Sequence, residues 1–251
     1  MPVKKQRRGM LYLYAVVNGK GKNSYGPIGI AGKEVYTVGD NGLAAVVSRL
    51  KTAQIRPQRK HMAAHHQVLT TLMADQTPMP VSFGIVAKGP GAVKRVLADE
   101  QDALEQAYDR VRDRVEMVAR VRLDTSNVFE YFVGCRPELA AERDRVYADG
   151  EPARGDKLEL GRLFDTILSQ TRDQAAERVE QALSGASAEI LGNTCRDERD
   201  IVDLSCLVDR GGEAAFDAAV MAAAKGFDDN FQFEVKGPWV PHSFVDLELD
   251  I

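Results

Sequence analysis

The stretch Lys236–Phe244, KGPWVPHSF, constrains this chain more than any other. It holds the single tryptophan, Trp239, with Gly237 and Pro238 before it and Pro241 after it. Proline fixes φ and is excluded from a helix interior, and Gly237 admits backbone conformations closed to other residues. The segment is therefore expected to be a fixed, extended bend that carries one large ring to one place. A buried tryptophan removes roughly 150–250 Å² from water, and its loss from a packed site costs about 3–5 kcal/mol. One reading makes the segment a rigid turn that ends a strand and plugs a core, with the indole inside. The other makes it an anchor joining two domains, or a docking site for a partner. The two are compatible, since a plug also fixes domain geometry.

Length and composition set the outer bounds. A chain of 251 residues, 44% hydrophobic and 28% charged, can fill one large core or two small ones and is not disordered. Its 33 Lys and Arg against 37 Asp and Glu give a net charge of −4, which argues against a nucleic-acid-binding protein. No apolar run approaches the ~18 residues that span a bilayer, so no membrane insertion is expected. The basic start, residues 1–8, leads into a strand pattern and lacks the apolar region and cleavage site of an export signal; it reads as a frayed tail. Cys135, Cys195 and Cys206 are widely spaced with no CxxC, the pattern of reduced thiols in the cytosol. Cys195 and Cys206 read as small buried hydrophobes rather than as a pair across a hairpin.

In the first half, residues 11–16 are expected to form a central strand. Residues 19–32, with five glycines and one proline, must be a loop. Residues 34–38 and 43–47 flank Gly39-Asp40-Asn41-Gly42, a hairpin with strong turn chemistry. Residues 57–75 carry a helical stripe of Met62, His65, Leu69, Leu72 and Met73, closed by Pro78 and Pro80. Residues 81–86 read as a short strand, in which Gly84 marks a bulge or a close backbone approach. The steps between Val93, Leu97, Leu104, Val111, Val115 and Val118 predict one helix over 91–121, roughly 45 Å long at about 1.5 Å per residue.

The second half reads as a strand over 128–133, a short helix ending near Tyr147, and a long helix over 157–183. Strands over 188–194 and 201–208, an alanine-rich helix over 212–225 and a strand over 230–235 follow. The fold class is therefore α+β with two domains. A mixed sheet with a long helix is expected over 1–122, and a ferredoxin-like βαββαβ domain over 123–236. A Pro/Trp tail over 237–251 is expected to pack on both.

Few residues suggest chemistry. His61 and His65 lie one helical turn apart, a spacing that can bind a metal, but no H-E-x-x-H glutamate accompanies them and no third ligand is evident. They read as helix-face histidines near a packed core, and His242 is isolated. Residues 84–91 contain glycines and lead into a helix, yet form neither G-x-G-x-x-G nor G-K-[ST], and Pro90 removes a donor from any phosphate nest. There is no G-x-S-x-G and no cysteine beside a recognisable base. Asp197, Glu198 and Asp200 fall in a charged turn and read as solvated. The residues predict no catalytic site, no metal and no cofactor.

Several stretches resemble one family. They are Leu11-Tyr12-Leu13-Tyr14, His65-His66, Met79-Pro80-Val81-Ser82-Phe83-Gly84, Asp203-Leu204-Ser205-Cys206-Leu207-Val208 and the closing Lys236–Phe244. In that order, over nearly the whole chain, they are similar to the gas vesicle proteins F and L (GvpF/GvpL). His242 and Ser82 stand where that family usually has Tyr and Arg. The resemblance implies two α+β domains, the second ferredoxin-like. It also implies a cytoplasmic, non-enzymatic, minor protein of gas vesicle formation that associates with the shell protein GvpA and other accessory proteins and acts early in assembly. The motif residues it singles out, for structure or for a partner, are Pro80, Phe83, Gly84, Gly237, Pro238, Trp239, Pro241 and Phe244. The rival reading is a regulatory domain of ferredoxin-like type that binds a metal or a small ligand.

Overall fold

The computed structural model describes residues 9–19, 23–39, 42–247 and 249. The basic start, residues 20–22 of the glycine-rich loop and Asp40-Asn41 of the expected hairpin turn lie outside the described residues. The chain divides into two compact units, one running to Glu116 and resuming at Pro238, the other Met117–Gly237. The division falls inside a strand, ahead of the boundary expected between residues 122 and 123, and the closing residues belong to the first unit.

The first unit is organised by β1 (Met10–Asn18), buried from Leu11 to Val17. In sequence order β2 (Ser24–Gly26), β3 (Val35–Gly39), β4 (Leu43–Leu50), β5 (Met79–Pro80) and β6 (Val86–Ala87) join it. The order is β2-β3-β4-β1-β5, with β6 also paired to β1. Leu13 faces Val47 and Ala15 faces Val46, so Tyr14 is an extra residue on β1. Such a bulge shifts the side-chain alternation by one. Tyr12 and Tyr14 before the shift, and Ala15 and Val17 after it, therefore all enter one core. Helix α1 (Arg59–Met73) adds Val68, Leu69 and Leu72 to that core, with His65 buried on the same face. Met62, expected on the stripe, is exposed. The strand expected over 81–86 is instead two short pieces, β5 and β6, because the chain turns between them with Gly84 at φ 102°.

The single helix expected over 91–121 does not form. Helix α2 (Pro90–Asp99) stops at Glu100 (φ −103°, ψ 18°) and α3 (Gln101–Val111) follows. Asp113 then takes φ 58°, and β7 (Arg114–Leu123) begins. Val115, Met117, Ala119, Val121 and Leu123 follow a strand's period of two and are all buried; Glu116 and Val118 between them are buried as well, while Arg120 and Arg122 are half-buried. Val115 and Val118 also satisfy three- and four-residue steps from Val111, so the two periods overlapped where the elements meet.

The second unit continues β7 through α4 (Val128–Cys135), α5 (Pro137–Tyr147) and α6 (Arg154–Leu183) to β8 (Glu189–Gly192), β9 (Asp200–Asp209), α7 (Glu213–Ala224) and β10 (Phe231–Trp239). Its sheet has the order β10-β7-β9-β8. Residues 128–133, expected as a strand, are helical: the Asn127 side chain accepts the Glu130 N–H at 3.1 Å, an N-cap that overrides the β-preference of this aromatic run. The first strand of the second sheet is thus β7. Cys206 is buried, Cys195 half-buried and Cys135 exposed. Among the described residues no helix is long and apolar enough to cross a membrane.

Candidate functional site

Four separated pieces of the motif meet in the core of the first unit. The Tyr12 hydroxyl lies 2.8 Å from His65 Nδ1 and accepts the Gly84 N–H at 3.3 Å. The phenol and the imidazole are hydrogen-bonded to each other, and the tautomer of His65 sets which of them donates. Phe83 packs edge-on against both rings, 5.9 Å from each. Only glycine readily takes the φ of 102° that turns the residue 84 amide toward the phenol. Tyr14 stacks edge-on to Tyr12 at 4.8 Å, shares a 2.8 Å hydrogen bond with Ser48 Oγ and accepts the Ile30 N–H at 2.8 Å. Gly29 lies so close that a Cβ there would sit 2.8 Å from that hydroxyl.

The electrostatics follow from burial. His65 is held down to about 4, first by loss of water and then by the nearby His242 and His66. At neutral pH it is uncharged, with its Nδ1 hydrogen-bonded to the Tyr12 hydroxyl. Burial pushes both tyrosine phenols up. This arrangement fixes the side chains in place. His61 does not join it; its Nδ1 faces the Arg56 carbonyl at 3.1 Å. Among the described residues no three His, Cys, Asp or Glu side chains are grouped to hold a metal ion.

The closing segment is divided between core and surface. Val240 enters the Tyr12 core, Pro241 is buried and Phe244 is 1% exposed. Phe244 is fixed from two sides. The Arg110 guanidinium donates to its carbonyl at 3.0 Å and covers its ring at 5.8 Å. Buried Glu116 accepts from the Ser243 N–H at 2.8 Å and from Ser243 Oγ at 2.7 Å. Trp239 does not fill a core. It is 42% exposed, and Gly237 and Pro238 beside it are exposed as well. The reason is extended geometry: neighbouring side chains point to opposite sides, so the backbone that sends Val240 inward sends Trp239 outward. Pro238 is tolerated in β10 because that strand is an edge of its sheet.

Of the residues singled out from the sequence, Pro80 lies in β5 opposite Ala15 and is buried. Phe83 and Gly84 belong to the Tyr12–His65 cluster, Pro241 and Phe244 to the buried part of the closing segment. Gly237, Pro238 and Trp239 form an exposed run. Sequence reasoning missed Ser48, Glu116 and Arg110, which are ordinary polar residues far along the chain from the groups they bind. The Asp203–Val208 stretch is β9 of the second unit, where Arg120 donates twice to Asp203 Oδ2, at 2.9 and 2.6 Å.

These features define a two-unit α+β protein whose motif builds a scaffold and leaves one aromatic run outside. Residues 10–246 match the model of a family described as gas vesicle synthesis protein GvpL/GvpF, and the chain belongs to that family. It is 27% identical over 245 residues to gas vesicle protein F2 of Halobacterium salinarum, covering 95% of this chain and 93% of that one. It is 25% identical to gas vesicle protein F of a Streptomyces species, covering 88% and 92%. Its fold matches the crystal structure of GvpF from Anabaena, with a TM-score of 0.84 at 19% identity over 96% of this chain and 99% of that one. The GvpF structure from Microcystis aeruginosa gives 0.78 at 18% identity over 95% and 99%. Membership places the chain among the accessory proteins of gas vesicle synthesis.

Proposed function

We propose that this chain is a non-catalytic assembly factor of the cytoplasm that binds the gas vesicle shell protein GvpA, together with other accessory proteins, and keeps it from aggregating before it joins a nascent vesicle. A shell whose inner face excludes water needs subunits with an apolar surface, and exposed apolar patches beyond a few hundred Å² drive association. A helper that covers such a patch and then releases it solves that problem. The observation that carries the reading is Trp239, a large ring 42% exposed at the end of an edge strand, inside the closing stretch that resembles the family. An exposed aromatic at a sheet edge is a common anchor for a partner. Gly237 and Pro238 shape that run, while Pro80, Phe83, Gly84, Pro241 and Phe244 hold the core beneath it.

Co-expression with GvpA tests the proposal. The shell protein is expected in the soluble fraction with the wild-type chain and substantially less so with Trp239→Ala. A shell protein equally insoluble with and without the chain overturns it.

A further inference from the structure

The first unit carries a basic groove that neither the aromatic core nor the closing segment uses. Two hollows, of about 470 and 620 Å³, share the walls Lys33, Arg49, Leu50 and Lys51. The strand register opens them. Pairing of β3 with β4 begins at Val35 opposite Ser48, whereas β4 runs on to Leu50 beside β1 alone. The chain from Lys51 to Gln58 borders one hollow and adds Ile55 and Arg56. The apolar floor is half-buried Leu50 and Ile55, while Lys33, Arg49, Lys51 and Arg56 are exposed around it. The one carboxylate on the walls, Glu34, accepts from Ser24 Oγ at 2.5 Å.

Two observations point to an anionic occupant. Residues 49–60 hold five cations and no acid, in a chain whose net charge is −4. Two of the five, Arg59 and Lys60, fall in the first turn of α1, which has no acidic residue and no side-chain cap. Cations at a helix's positive end are unfavourable until an anion lies beside them. The four wall cations have no acidic partner among the described residues.

We propose that this groove binds an acidic, aliphatic-rich segment of a partner protein, with its carboxylates on Lys33, Arg49, Lys51 and Arg56 and its apolar side chains on Leu50 and Ile55. A phosphate backbone would use the cations and leave the floor idle, and the overall negative charge of the chain opposes a long polyanion. A segment that alternates carboxylate and aliphatic side chains matches walls and floor together. The occupant need not be the shell protein, so failure of this inference leaves the shell-protein reading standing, and the reverse holds too.

The test titrates the full chain by fluorescence anisotropy against a labelled short peptide of alternating Glu and Leu, and against the same peptide with Lys for Glu. The Glu peptide is expected to bind, to weaken as salt rises, and to lose about tenfold or more in affinity with Arg49→Glu/Lys51→Glu. Arg154→Glu/Arg162→Glu makes the same charge change at exposed positions of the second unit and is expected to keep wild-type affinity. Circular dichroism checks both folds; if the reversal unfolds the chain, Arg49→Gln/Lys51→Gln is expected to show the same ordering. No binding, equal losses in the two double variants, binding of the Lys peptide, or tighter binding of a phosphatidylglycerol vesicle or an oligonucleotide at the same residues overturns the proposal.

Discussion

The two units fill their interiors by different means. The first threads polar atoms through its core: Tyr12, His65 and Gly84 form one hydrogen-bonded set, and Tyr14, Ser48 and the Ile30 amide another. The second relies on hydrocarbon, with Phe132, Phe164, Phe216 and Leu204 buried. Its ion pairs, Arg120 with Asp203 and Arg122 with Asp200, stay partly exposed. A hydrocarbon core loses stability by volume. A hydrogen-bonded core also loses it through unpaired polar atoms and through protons.

The largest effect expected of a single substitution is in the second unit. Phe216 is fully buried, and Phe216→Ala is expected to cost about 3–5 kcal/mol by denaturant titration, with the same loss at every pH. The next effect sets the units apart. Folding holds the His65 pKa at about 4 against an ordinary 6.5, so the unfolded chain takes up the proton first. Stability is therefore full above about pH 6.5, falls as pH drops toward about 4, and then levels off on this account. At ~1.4 kcal/mol per pKa unit the limb is worth about 3 kcal/mol. Urea midpoints measured across that window are expected to show it in the wild type and to show a smaller limb in His65→Gln, where His242, also held below its ordinary pKa, still contributes one of the same sign. Smaller again, Tyr12→Phe strips the Gly84 amide of its acceptor and His65 Nδ1 of its hydrogen-bond partner, an expected cost of about 1–3 kcal/mol. Least of all, Trp239→Ala is expected to change stability by under about 1 kcal/mol, because its ring lies largely outside. A Trp239→Ala loss as large as that of Phe216→Ala would erase the distinction between the buried and exposed halves of the motif.

Much of this was legible in the sequence. The hairpin strands, α1, α6, α7 and the strands β8 and β9 follow from local periodicity and turn residues. The failures share a cause. Residues 111–123 fit two periods at once, and what decides between them is Asp113 at φ 58°, a conformation no residue type announces. Residues 128–133 are rich in strand-favouring side chains, yet a single side-chain cap at Asn127 and burial of Val128, Phe132 and Val133 made them helical. The core site was half visible. The tyrosines, His65 and Phe83-Gly84 each stood out, but Tyr12 and His65 are 53 residues apart and nothing local pairs them. Trp239 was read by its size, which favours burial, whereas its position next to Val240 decided its direction. The basic run from Arg49 to Lys60 could have been found by counting charge along the chain instead of over the whole.

Trp239 is the only tryptophan, so its fluorescence reports the central claim without mutation. The motif's inner half should hold the first unit together while its outer ring waits for a partner. The native chain is expected to emit at long wavelength, to be quenched readily by acrylamide, and to become protected when GvpA is added. Short-wavelength emission that acrylamide does not reach before any partner is present would contradict the account.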